Sequence, residues 1–190
     1  MSTTSEHRSR LPGVDGLWVF IGFDAVIFAL LFASFQHDRY GDPALFEASR
    51  RTLNFHLAGL DTLLLLTSSW LVALAVQAVA RDDPRAPRLL LGGMLTGAMF
   101  VVSKSVEYAE KLIDGITPAT DAFYGWYFLL TGVHLAHVLA GTGLLGYTWR
   151  RSRRGAYRDG NRVVLECVAS FWHLVDLLWL VLFPLLYLQR

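Results

Sequence analysis

The sequence predicts an all-α integral membrane protein, a bundle of five transmembrane helices. Of its 190 residues 54% are hydrophobic and only 17% are charged. The apolar residues collect into five runs of about 20 or more, the length a helix needs to cross hydrocarbon with its backbone hydrogen bonds kept inside the segment. Between the runs lie short connections rich in breakers and charge.

The first run, Val14 to Gln36, follows a polar tail of residues 1–13. Arg8 and Arg10 precede it as in a secretory leader, but it is too long for such a leader's apolar region and contains Asp24. Gly41-Asp42-Pro43 closes it. Asp42-Pro43 is also a good helix start, and the mixed spacing from Pro43 to His56 fits an outward extension of the second helix. The second run spans Leu57 to Val79 and stops at RDDPRAPR, residues 81–88. The third spans Leu89 to Leu112 and stops at DGITP, residues 114–118; its Gly93 and Gly97 form a small-xxx-small pair that lets helices approach closely. The fourth, Ala122 to Trp149, and the fifth, Arg162 to Leu188, are joined by WRRSRRGAYRDG. No linker or repeat divides residues 14–190, which read as a single domain.

Seventeen lysines and arginines against 16 acids leave a net charge of +1, so nothing favours a nucleic-acid partner. A single cysteine, Cys167, excludes an internal disulfide and a cysteine-built zinc site. Eleven of the 17 basic residues fall in the tail, the second loop and the fourth loop, which by the positive-inside rule places the N-terminus in the cytoplasm and the C-terminus outside. The run Arg150 to Arg154 also suits anionic lipid headgroups.

Asp24, His134, His137, His173 and Asp176 lie near mid-span, and Lys104, Glu107 and Glu166 nearer span ends. Each central charge costs about 2.5 to 3.5 kcal/mol to insert, so these side chains should face the bundle interior or pair. Glu166, Ala169, Ser170, His173 and Asp176 share one helix face; His134 and His137 share another, as do Lys104, Glu107 and Lys111. Lys104 is placed to neutralise Glu107. Three readings fit. A metal or haem centre would use the carboxylates and histidines, although the Glu-x-x-His pairs of four-helix di-iron sites are missing. A proton or ion pathway uses the same residue types, although no repeat or broken mid-span helix is present. The third reading is interhelical hydrogen-bond glue, worth about 0.6 kcal/mol per bond.

The local strings go further. ECVASFWHLVDLLWLVLFPLLYL from Glu166 places Trp172, His173, Asp176 and Trp179 on a W-H-x-x-D-x-x-W pattern, and YFLLTGVHLAHVLAGTGLL from Tyr127 places Gly132, His134, His137, Val138 and Gly141 on G-x-H-x-x-H-V-x-x-G. With Glu107-Tyr108 and the serine-bearing LLLLTSSW at Leu63 to Trp70, these resemble subunit III of the haem-copper oxidase superfamily over nearly the whole chain. Full-length members have seven helices, so a five-helix chain resembles the short forms of quinol oxidases and of the accessory subunit associated with nitric oxide reductase. WVFIGFDAVIFALLF, PALFEASRRTLNFHLAGL and VSKSVEYAEKLIDGITPAT resemble the latter branch more. Two positions depart: Asp24, where oxidase members often carry glutamate, and Asp61, where asparagine is expected.

The resemblance implies a cytochrome c oxidase subunit III-like bundle in a bacterial inner membrane that docks on a catalytic subunit of aerobic or denitrifying electron transport. Haem and copper or iron would lie in that partner and none in this chain. Bound phospholipid and support of assembly, stability or proton uptake are further implications. A network of Glu107, His134, His137, Glu166, His173 and Asp176, joined by Asp24, is expected to fix the helix packing. An independent membrane metalloenzyme or proton pathway is the remoter alternative.

Overall fold

A computed structural model describes residues 15–157 and 162–189. The N-terminal tail and residues 158–161 of the fourth connection lie outside the described residues. Six α-helices follow one another: α1 Asp15–Gly41, α2 Pro43–Arg50, α3 Phe55–Ala80, α4 Ala86–Ile113, α5 Ala122–Arg153 and α6 Val163–Phe183, the last continued by a π-helical turn, Pro184–Leu188. Five are long and apolar enough to cross a membrane, as the sequence predicts. They overrun the apolar runs: α1 continues from Gln36 to Gly41 and α5 from Trp149 to Arg153. A helical backbone keeps its own hydrogen bonds where polar side chains reach the interface, so the helix need not stop where apolarity does.

The Pro43–His56 segment is corrected. Its residues Pro43–Arg50 form a separate short helix, and only Phe55 and His56 join the second membrane helix. Asp42 caps α2 by accepting the Leu45 N–H, and Asn54 caps α3 by accepting the Leu57 N–H, with the chain turning between Arg51 and Asn54. Asp121 caps α5 in the same way on Tyr124. At C-termini α4 and α5 run into Gly115 and Gly155, both at positive φ, followed by Ile116 N–H to Lys111 O and Ala156 N–H to Arg151 O. This is the Schellman ending, in which a residue without Cβ takes the left-handed position. After α3 the same position is held by Asp82, φ 53°, with Asp83 N–H returning to Ala78 O.

Helices α3, α4, α5 and α6 pack in a closed ring, and α1 leans on α5 and α6. The most apolar window of α6 is 56% buried against 11% for α1, so α6 is the core helix and α1 the peripheral one. Trp172, Trp179, Tyr127, Phe28, Phe35 and Phe100 are the largest fully buried side chains. Trp172 occupies a slot with two glycine walls. A Cβ on Gly141 of α5 would lie 2.6 Å from its ring, and one on Gly97 of α4 2.7 Å away. The second glycine of the small-xxx-small pair therefore admits an indole, while the first, Gly93, lies against Val72 and the Ser68 carbonyl of α3.

Helix α2 lies across one end of the ring. Ser49 Oγ–H donates to Asp121 at 2.7 Å, Lys111 donates to the Thr52 carbonyl at 3.0 Å, and Thr52 bonds Tyr124. Arg50 donates to the Tyr187 carbonyl at 3.0 Å and, with Arg51, to Glu47 at 2.8 to 2.9 Å. Pro184, lacking an N–H, interrupts the α-helical ladder of α6, and the wider turn that follows buries Leu185, Leu186 and Tyr187.

Two outcomes are expected. Gly141→Ala or Gly97→Ala should cost about 1–3 kcal/mol by overpacking the Trp172 slot, whereas Gly143→Ala, with nothing within 4 Å, should not destabilise; unfolding in detergent micelles measures both. The hydrogen bonds from Arg50 and then Arg51 hold the Glu47 carboxyl down from 4.5 to about 2. A depressed acid contributes stability above its unfolded-state value and loses it as pH falls towards the folded one. Hydrogen-exchange protection around Arg50 and Tyr187, taken relative to the intrinsic rate at each pH, should therefore fall only as pH drops from 4.5 to about 2, and Glu47→Gln should show that loss of protection at neutral pH.

Candidate functional site

The intramembrane polar residues fall into separate groups. The densest sits at the α2 end of the ring. Lys104, 1% exposed on α4, places its ammonium 2.5 Å from Glu107 Oε2, one turn on, and 3.3 Å from Asp61 Oδ2 on α3. It also donates to the Tyr187 hydroxyl at 3.1 Å and lies 4.8 Å from the Trp179 ring centroid. Glu107 Oε1 accepts from Tyr127 of α5 at 2.8 Å and from Tyr187 at 3.2 Å. Tyr108 bonds Thr131 Oγ1 at 2.6 Å, and Thr131 donates to the Tyr127 carbonyl. Four membrane helices thus contribute to one buried charge cluster, in which Lys104 and Glu107 are paired and hydrogen-bonded, while Asp61 is within ion-pairing distance of Lys104 but neither of its oxygens has a hydrogen bond of normal geometry among the described residues.

A second group joins α3 to α6. Ser69 Oγ and His173 Nδ1 are 2.6 Å apart, and Trp179 Nε1–H donates to Thr62 at 3.0 Å. Asp176, one turn from His173 and 4% exposed, has the Ser69 hydroxyl as a polar neighbour, but neither of its oxygens has a hydrogen bond of normal geometry among the described residues. The third group fastens α1 to α5: Asp24 Oδ1 lies 3.1 Å from His137 Nε2, while His137 Nδ1 lies 2.8 Å from the Val133 carbonyl. A carbonyl only accepts, so Nδ1 is the donor there.

His134 belongs to none of these. It is fully buried with neither ring nitrogen hydrogen-bonded among the described residues, and packs at 5.7 Å from Phe100 and 5.2 Å from Trp179, centroid to centroid. Glu166 is half-buried in the first turn of α6, where the helix dipole favours an acid, and has no polar partner among the described residues. Asp24 and His137 are therefore brought together, Glu107 meets Lys104, His173 meets Ser69, and His134 and Glu166 stand apart. Sequence reasoning left the role of Asp61 open and missed Tyr127 and Tyr187. Among the described residues no three His, Cys, Asp or Glu side chains are grouped to hold a metal ion.

The fold and its polar groups define a class: a polytopic helical membrane protein, several of whose intramembrane polar side chains bond from one helix to another. Residues 11–189 match the family described as cytochrome c oxidase subunit III, and the chain belongs to that family. It is 30% identical over 186 residues to a cytochrome c oxidase subunit 3 of Thermostichus vulcanus, an alignment covering 96% of this chain and 91% of that protein. It is similar to a cytochrome bo(3) ubiquinol oxidase subunit 3 of Pseudomonas aeruginosa, 28% identical over 191 residues and covering 96% and 88% respectively. A cytochrome c oxidase subunit 3 of Bacillus sp. is 30% identical over 192 residues, with 97% and 90% covered.

Removing Lys104 while its acids remain should be severe. Lys104→Met leaves Asp61 and Glu107 buried around no cation and should cost about 3–5 kcal/mol. The triple change Lys104→Met, Asp61→Asn, Glu107→Gln should recover much of that loss, with detergent unfolding curves as the readout; equal stability of the two variants would contradict the pairing.

Proposed function

We propose that the chain is a non-redox accessory subunit, of the subunit III type, that docks within the membrane on the catalytic subunit of a respiratory haem-copper complex and supports its assembly, stability or proton uptake. Family membership over residues 11–189 carries this reading. The engagement of Lys104, Glu107, Asp24, His137 and His173 with partners inside the bundle supports it, since those side chains then serve packing. Residues 14–190 act as one membrane domain, with residues 1–13 a cytoplasmic tail and the C-terminus outside, as the basic bias of the loops favours. Haem and copper or iron belong to the partner, and membrane lipids surround the bundle.

Nitric oxide reductase is the partner we favour, on the strings around Asp24, Pro43–Leu60 and Val102–Thr120, which resemble that branch. The names of the relatives support a second reading, an oxygen-reducing cytochrome c or quinol oxidase. Affinity purification from native membranes in mild detergent separates them by the haem-containing subunit that follows the chain. A chain that purifies alone with stoichiometric iron, copper or zinc would overturn both readings.

His173→Leu removes the Ser69 bond between α3 and α6. It should lower the amount of co-purifying catalytic subunit about fivefold, the effect of losing roughly 1 kcal/mol. Full assembly with unchanged turnover would count against a packing role for His173.

A further inference from the structure

Around Lys104 the buried charges do not balance. Asp61, Glu107 and Lys104 are 0%, 3% and 1% exposed, and the one ammonium lies 3.3 Å from the first carboxyl and 2.5 Å from the second. We propose that this cluster is a proton-binding site: Asp61 holds a proton as a neutral carboxylic acid, Glu107 alone is the carboxylate that balances Lys104, and release of the proton loosens α3 from α4.

No other element supplies the missing positive charge among the described residues. Helix α4 contributes Lys104, Glu107 and the Ser103 hydroxyl, α5 the Tyr127 hydroxyl, α6 the Trp179 ring, and the π-helical turn the Tyr187 hydroxyl. Helix α5 also brings His134 against the Trp179 ring, but an imidazolium there would bury two N–H donors without acceptors. A net negative charge enclosed between apolar helices is strongly unfavourable, and the cheaper state is the one in which an acid takes up a proton.

Hydrogen bonding decides which acid that is. Glu107 accepts from Lys104, Tyr127 and Tyr187, three donors that stabilise a carboxylate. Lys104 directs its bonds to Glu107 and to the Tyr187 hydroxyl, and although it lies within reach of Asp61 Oδ2, neither Asp61 oxygen has a hydrogen bond of normal geometry among the described residues. Asp61 is thus the poorer anion of the two, and the proton sits there. Ser103 Oγ, buried and likewise without a hydrogen bond among the described residues, is its polar neighbour on α4 and an acceptor for that hydrogen.

The folded chain alone holds this proton. An exposed aspartate is ionised above about pH 3.9, so folding takes up one proton at Asp61, and the stability it brings is intact below that pH and lost as pH rises. Ionised, Asp61 becomes a second carboxylate competing with Glu107 for a single ammonium, and the contact between α3 and α4 weakens.

The test uses the full-length chain in detergent micelles, with carbon-13 in the aspartate side-chain carboxyls. Infrared spectra at neutral pH should show a protonated-acid C=O band that moves with the label and with deuteration, and Asp61→Asn should remove one carboxyl's share of it. Glu107→Gln should remove the same share although Asp61 remains, because Lys104 then takes Asp61 as its carboxylate. In unfolding titrations the folding constant of the unaltered chain should fall more steeply than that of Asp61→Asn, by up to about tenfold per pH unit. An Asp61→Asn spectrum that loses only carboxylate intensity, a labelled band that survives Glu107→Gln, or a stability that follows sodium concentration rather than pH would each overturn the proposal, the last in favour of a bound monovalent cation. Either variant decides the matter should the other not fold.

Discussion

Everything in this bundle depends on how closely α4, α5 and α6 approach around one indole. Lipid tails are as apolar as leucine, so burying a leucine between helices gains little, and association has to come from tight contact and polar links. Trp172 supplies the contact because Gly97 and Gly141 leave no Cβ in its path. With that spacing set, Trp179, seven residues along the same face, meets the Phe100 ring at 4.9 Å and reaches Thr62 with its Nε1–H. The bond between Ser69 and His173 forms between the same two helices. Trp172, His173 and Trp179 of that sequence pattern thus each make a contact between helices.

The charge cluster is a second consequence of the same geometry. Lys104 meets Asp61 only if α3 and α4 pack closely, which Gly93 allows by bringing the α3 backbone against α4. Glu107 needs more acceptor satisfaction than one ammonium supplies, and the hydroxyls of Tyr127 and Tyr187 provide it. Tyr187 is in range because the chain widens into a π-helical turn after Pro184. Helix α2 then holds that turn through Arg50 on the Tyr187 carbonyl. A proline and a tyrosine of one turn, held by an arginine 137 residues away in sequence, thus complete one buried ion cluster.

The membrane spans were legible because the constraint that makes them is local: a backbone in hydrocarbon must bond to itself, so each span is written as a run of about 20 apolar residues. Lys104 with Glu107 was legible for the same reason, being one turn apart. Asp61, Tyr127 and Tyr187 were not, since only tertiary packing brings them to that pair. The two histidines of α5 show the limit of spacing arguments. Residues three apart differ by about 60° around a helix, and here that turns His137 toward α1 and His134 toward Phe100 and Trp179. The independence of α2 rested on Asn54, whose capping of α3 is recognisable only once the start of α3 is known.

Helix α1 is the element whose placement rests on least. Its shallow burial leaves Val19, Phe23, Val26 and Leu30 outward while Phe28 and Phe35 point in. Apolar contact alone fixes the rotation of such a helix poorly, because every face is compatible with lipid. Polar links remove the ambiguity: Asp24 with His137 near mid-span and, near the α2 end, Trp126 donating to Asp38 and Arg39 donating to Gln189. Rotating α1 would strand a buried carboxyl, so these links determine which apolar face the subunit presents outward. An acid inside the membrane thus sets the rotation of a helix that its apolar faces alone would leave undetermined.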